Sequence, residues 1–216
     1  MTGISPCRTK KSFRPDEQNR PDVARRRQGF AHEQKRLDPE RLVFLDETGV
    51  HRAMRKTQAW APSGQRAVSY RPGAKRKNVS VMGAVRRSGI VAMKSSPKAM
   101  TIMIFLGFLQ TCLLPRLRPG DILVMDNLAA HRSPRVKRLL KAHQIGCLFT
   151  PAYSPEFNPI EMVWNSLKRR FERKLGTWRS SLGRAIAAAW RSLKHLRIDK
   201  LMVACGHKRI ISTKTI

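Results

Sequence analysis

Carboxylates are scarce in this 216-residue chain: 14 Asp and Glu stand against 44 Lys and Arg, for a formal charge of +30. No enzyme acting on a neutral small molecule needs such an excess. It predicts a polyanionic partner, with nucleic acid as the default. A ribosomal or chromatin protein would share the charge, so charge by itself does not make an enzyme. Six of the acids fall in the first 40 residues. Beyond them come Asp46, Glu47, Asp121, Asp126, Glu156, Glu161, Glu172 and Asp199, with none between Glu47 and Asp121. Any divalent ion bound through oxygen has to draw its side-chain ligands from that short set.

Cysteine is sparse too. Cys7, Cys112, Cys147 and Cys205 are too scattered for a CxxC-type zinc site. They do not form a secreted disulfide framework either, and they read as reduced thiols of a cytoplasmic protein. A signal peptide and a long apolar run are both lacking. The most apolar stretch, Ala99 to Leu109, is about half the length needed to span a bilayer. No membrane partner is expected.

What the chain does have is centred on Asp121 to Ser133, DILVMDNLAAHRS. Ile122 to Met125 form a continuous apolar run, the pattern of a strand covered on both faces. The run delivers Asp126 and Asn127 to a sheet edge, where open α/β sheets bind ligands. A lone Asp in that place could equally cap a turn. A second strand of the same design, Arg41 to Asp46, ends in a carboxylate followed by Glu47, Thr48 and Gly49.

The remaining elements fit around these two. Residues 1–40 are basic and broken by Pro15, Pro21 and Pro39; they read as a linker or arm without a core, with Arg25 to Arg27 on a short helix from Asp22. Residues 50–76 read as irregular, with one short strand near Ala67 to Tyr70. Alternation over Asn78 to Arg86, the Ser88-Gly89 turn signal and Ile90 to Lys94 predict an antiparallel hairpin. Lys98 to Leu114 reads as a buried helix. Ser133-Pro134 starts another, and Ile145 to Phe149 returns as a strand. Asn158, Pro159 and Glu161 then take the N-cap, N1 and N3 positions of a helix whose apolar face is Ile160, Val163, Trp164, Leu167 and Phe171. Capping alone would account for Glu161. A last helix covers Ser181 to Leu196. One folded domain is thus expected over 41–200, the span in which the catalytic motifs below fall, with 201–216 as a tail.

The order predicts an α/β fold with a mixed sheet, in which Asp46 and Asp126 meet at one edge and Glu161 closes the set. Clustered carboxylates cannot all stay ionised without a cation. In so acid-poor a chain the cluster reads as a Mg2+ or Mn2+ site. Two such ions roughly 4 Å apart would activate an attacking oxygen and stabilise a leaving oxygen of a phosphodiester. Asn127 and His131 could orient water or a ligand, although a His in this place is more often a surface or turn residue. Lys75, Arg76, Lys77, Arg132, Lys168, Arg169, Arg170 and Arg173 are candidate phosphate contacts. For Lys75 to Lys77 a solvated charge run is the plainer reading.

Three segments carry a resemblance. FLDETG (Phe44 to Gly49), GDILVMDNLAAH (Gly120 to His131) and PAYSPEFNPIEMVW (Pro151 to Trp164) resemble the catalytic motifs of the DDE transposases, more narrowly the bacterial insertion-sequence type of the mariner superfamily. Thirty-four residues separate Asp126 from Glu161, the spacing typical of that group. The resemblance implies a ribonuclease-H-like fold with Asp46, Asp126 and Glu161 as metal ligands. It implies Mg2+-dependent cleavage at transposon ends, then attack of the freed 3′-hydroxyl on target DNA, usually at TA. It also implies work on duplex DNA as a dimer, near the bacterial nucleoid. Where the family commonly has Asp after Tyr-Ser-Pro this chain has Glu156, the rival for third ligand. Residues 1–40 do not supply the helix-turn-helix units that read the transposon ends, so an upstream half is an expected partner. A ribonuclease-H-like nuclease and a DNA-binding transposase remnant are the other two readings.

Overall fold

A computed structural model describes residues 15–51, 54, 62, 66, 68, 78–175 and 182–207. Its centre is a five-stranded sheet in the order β3-β2-β1-β4-β5, built from β1 (Leu42–His51), β2 (Asn78–Arg86), β3 (Gly89–Ser96), β4 (Ile122–Met125) and β5 (Gly146–Phe149). The predicted hairpin is present: β2 runs antiparallel to both β1 and β3. β4 lies parallel to β1 and to β5. This is the expected ribonuclease-H-like mixed sheet. The short strand expected near Ala67 to Tyr70 lies outside the described residues.

Alternation along β1 divides the core. Leu42 and Phe44 face one side, with Val81, Val85 and Val124, and pack under α4 (Ile160–Leu175), α5 (Leu182–Arg191) and α6 (Ile198–Ala204). Val43 and Leu45 face the other, with Met82, Leu123 and Met125, under α2 (Ile102–Phe108) and α3 (Pro134–Ala142). Full burial on both faces is why β1 and β4 read as unbroken apolar runs. α2 begins later than Lys98 because Thr101 caps it, accepting from Ile104 N at 3.3 Å. It then loosens into a π-turn over Leu109–Leu113.

Three expectations are corrected. β1 does not stop at Asp46 but continues to His51, paired with β2 as far as Asn78. What stops is its pairing with β4, at Phe44 and Val124. Residues 1–40 are not without a core: α1 (Pro21–Glu33) buries Val23 and Phe30, seven residues apart and so on one helical face. Phe30 joins the cluster under α4. The segment after Arg197 is also structured, since α6 buries Ile198 and Met202, and His207 beyond it bonds Phe157 O at 2.9 Å.

Gly83, the β2 partner of Asp46, has to be glycine. A Cβ there would come within 2.5 Å of Trp164 Cη2 and 3.1 Å of Trp190 Cη2. Gly83→Ala is expected to destabilise the fold by about 1–3 kcal/mol through overpacking. Thermal unfolding reads this directly, and an unchanged midpoint would mean the two indoles are free to move.

Candidate active site

The site lies where β1 and β4 part. Asp46 shares the face of Leu42 and Phe44, so its side chain points towards α4. There Trp164 Nε1 donates to Asp46 Oδ2 at 2.9 Å. Asp126 follows directly on β4. Glu161 sits in the first turn of α4, where Pro159 and the Asn158 cap fix the helix start; Asn158 Oδ1 accepts from Ile160 N at 3.3 Å. The capping-box reading of Glu161 is not realised, because Asn158 N donates to Pro155 O at 3.0 Å. Asp46, Asp126 and Glu161 instead line one cleft of 310 Å3 together with Asn127 and the Pro151–Pro155 loop.

The electrostatics follow from crowding. Burial pushes the Asp46 carboxyl up to about 7, and the charges of Glu161 and Asp126 add to it. The Glu47 backbone N–H and the Trp164 indole work the other way. Glu161 is also raised, by burial first and by Asp126 second, with Lys168 opposing. Acids lifted by burial and by one another's charge are what a cation would relieve.

His131 lies in a turn, as expected, but not at the surface. It is 0% exposed, stacked against Phe105 at 4.5 Å between ring centroids. It joins the first two motifs, with Nδ1 at 2.7 Å from Asp126 Oδ1 and Nε2 at 3.3 Å from Glu47 Oε1. Burial alone would pull the imidazole down, but the hydrogen bonds and charges of Asp126 and Glu47 push it up to about 9. Both ring nitrogens of His131 thus face carboxylate oxygens, which favours the protonated, doubly donating form. Glu47 reaches it because Glu47 faces the side of the sheet opposite Asp46.

Glu156 is engaged elsewhere. Arg27 of α1 pairs with Glu156 Oε1 and donates to Ser154 Oγ at 2.7 Å and Tyr153 O at 3.1 Å. Its guanidinium also lies 5.6 Å from the Phe157 ring centre. Gln18 Nε2 donates to the same Tyr153 carbonyl at 2.6 Å. Together these hold Tyr153 in the left-handed region, φ 55°, a conformation uncommon for an aromatic residue. Sequence reading missed Arg27 and Trp164. The Trp164 role was legible only in part: its place three residues after Glu161 puts both on one helix face.

The basic candidates divide. Arg132, Arg169 and Arg173 are exposed and Lys168 is half-buried. Arg170 is tied down, donating to Ser192 O at 2.7 Å, so it joins α4 to the end of α5 and is less available to DNA. Lys75, Arg76 and Lys77 lie outside the described residues.

Among the described residues no three of His, Cys, Asp and Glu gather closely enough to hold an ion as they stand. Asp46 is tethered to Trp164 and Asp126 to His131. An open, carboxylate-only cleft still fits Mg2+, which takes one or two protein carboxylates and completes its shell with water and substrate phosphate. It does not fit zinc, which wants His or Cys in a closed set. No helix among the described residues is long and apolar enough to cross a membrane.

Comparison with known proteins bears on the fold and the family. The Tcb1 transposable-element transposase of Caenorhabditis briggsae is 29% identical over 77 residues, which is 36% of this chain and 28% of that protein. The chain therefore spans about a quarter of that relative's length. Among solved structures, the Mos1 transposase paired-end complex with the left transposon end aligns over 94% of this chain and 68% of that one, with a TM-score of 0.60 and 18% identity. The Mos1 transposase catalytic domain solved with raltegravir and Mg covers 89% of this chain and 90% of its own, with a TM-score of 0.58 and 15% identity. At those identities the likeness is one of fold. The family itself is given by sequence: the DDE superfamily endonuclease model matches residues 41–180, the span that holds Asp46, Asp126 and Glu161, and the chain belongs to that family.

Proposed function

We propose that this chain is the catalytic domain of a transposase, which cuts DNA at transposon ends and joins the freed 3′-hydroxyl to target DNA. The observation that carries the reading is the convergence of Asp46, Asp126 and Glu161, from three separate motifs, on one cleft. These three are the proposed ligands of Mg2+ or Mn2+; a Mos1 catalytic-domain structure of the same fold contains Mg. When bound, a pair of such ions would activate the attacking oxygen and stabilise the leaving one.

The chain's own residues do the rest. Trp164 fixes the direction of Asp46. His131 Nδ1 and Leu128 N both hold Asp126 Oδ1, and Asp126 lines the cleft. Asn127, exposed beside Asp126, is placed to orient water or substrate. Arg132, Lys168, Arg169 and Arg173 contact phosphates. The work needs two DNA ends together, so the acting unit is a dimer on DNA, with an upstream helix-turn-helix part reading the ends.

Strand transfer of a precut transposon end, presenting its 3′-hydroxyl, into plasmid DNA tests this reading. Joined product that depends on Mg2+ or Mn2+ is the expected result. Cleavage of RNA–DNA hybrids with no joining would point to a ribonuclease-H-like nuclease. Tight, salt-sensitive binding indifferent to metal would point to a DNA-binding remnant.

A further inference from the structure

A basic groove lies away from the carboxylate cleft. Arg86 pairs in register with Val43 near the start of β1. It also donates to Asp121, just before β4, at 2.6 Å. Asp126 stands at the other end of β4, five residues on, or about 16 Å at a strand's rise. At the Asp121 end a groove of 620 Å3 is lined by Arg86, Arg116, Arg118, Arg191 and Lys194, with Trp190 in its wall.

Three separate parts of the chain bring these charges together: the end of β2, the turn before β4, and the end of α5. Arg116, Arg118, Arg191 and Lys194 are exposed. Among the described residues none of those four forms an ion pair. Asp121, the carboxylate beside them, is 1% exposed and already committed, accepting from Arg86 Nη2 and, at 2.8 Å, from Arg118 N. Converging like charges repel and cost stability unless an anion is brought to them. A groove with four exposed cations drawn from separate parts of the chain, and no acid in its lining, suits a repeating anion better than a single one. Duplex DNA presents one phosphate charge per about 1.7 Å of its axis.

We propose that this groove is a second DNA-binding surface, which grips the phosphate backbone of duplex DNA away from the scissile bond. Its contacts are with the phosphate backbone, which exposed Arg and Lys side chains neutralise by charge. It stands whether or not the carboxylate cleft cuts DNA, since it needs neither metal nor cleavage.

The test is binding of the full chain to a short labelled duplex without metal, followed by fluorescence anisotropy across a salt series. The variant is R118Q/R191Q/K194Q, and its control is K98Q/R138Q/K141Q, three exposed cations elsewhere. The groove variant is expected to bind about tenfold more weakly at physiological salt. Its log–log salt slope should be shallower by about 0.9 for each phosphate that the groove no longer neutralises. The control should change both far less. R118K/R191K, which keeps the charge, should retain the wild-type slope. Unchanged affinity and slope in the groove variant overturn the proposal. So does an equal loss in the control, which would reduce the effect to bulk charge, or a loss in R118K/R191K, which would trace it to the fold. A larger loss for single-stranded RNA than for duplex DNA also overturns it.

Discussion

Glu161→Gln is expected to abolish DNA cleavage, by about a thousandfold or more, which corresponds to about 4 kcal/mol of transition-state stabilisation. Glu156→Gln is expected to cost only about tenfold, the scale of a residue that acts through its neighbours. The two glutamates are five residues apart in one loop-to-helix segment, yet the structure separates their work. Glu161 faces the cleft with Asp46 and Asp126. Glu156 is neutralised by Arg27 and, with it, shapes the loop. Gln keeps the size and polarity of each side chain, so α4 should fold in both variants. Single-turnover cleavage at saturating DNA is the measurement. A dead Glu156→Gln beside an active Glu161→Gln would exchange the roles.

The second large effect is on stability. Asp46 is held at about 7 in the folded chain against an ordinary value of 3.8. The folded state therefore keeps a proton that the unfolded state releases. This contribution is complete below about pH 4 and is lost as the pH rises towards 7. The metal-free protein should therefore lose a few kcal/mol of stability across that interval, at about 1.4 kcal/mol for each pH unit crossed. On the proposed reading a divalent ion would take the place of the proton and reverse the trend. At a hundredfold excess over its dissociation constant, Mg2+ should stabilise by about 2.7 kcal/mol at pH 8, or about 5–10 °C in a chain of this size. At pH 5.5 the proton competes and the gain should shrink to about 1 kcal/mol. Thermal unfolding with and without Mg2+ at both pH values checks this. An equal gain at the two would place the ion away from Asp46.

Much of this was legible in the chain because acids are so few. Two apolar runs, each followed by a carboxylate, marked β1 and β4, and Asn158-Pro159 marked the start of α4. The strand pairing of the hairpin followed from alternation and the Ser88-Gly89 turn. What stayed hidden depended on distance in sequence. Arg27 and Glu156 are 129 residues apart, and Trp164 and Asp46 are 118 apart; no local pattern links either pair. The burial of His131 was missed because Phe105, on α2, packs against it and Glu47, on β1, joins Asp126 in binding it. β1 was cut short at Asp46 because a carboxylate after four apolar residues reads as an end. Its pairing with β2 carries it five residues further. Phe30 and Val23 carried a readable signal, seven residues apart on an otherwise polar helix, which the surrounding basic residues obscured.

The central claim is that Asp46, Asp126 and Glu161 act as one metal site that cuts DNA. Nicking of supercoiled plasmid with Mg2+ or Mn2+, by the wild type and by Asp126→Asn at equal DNA occupancy, tests it most directly. The wild type is expected to nick only with metal, and the variant to bind as well and leave the plasmid intact. Equal nicking by both, or none by either with DNA and metal bound, would contradict it.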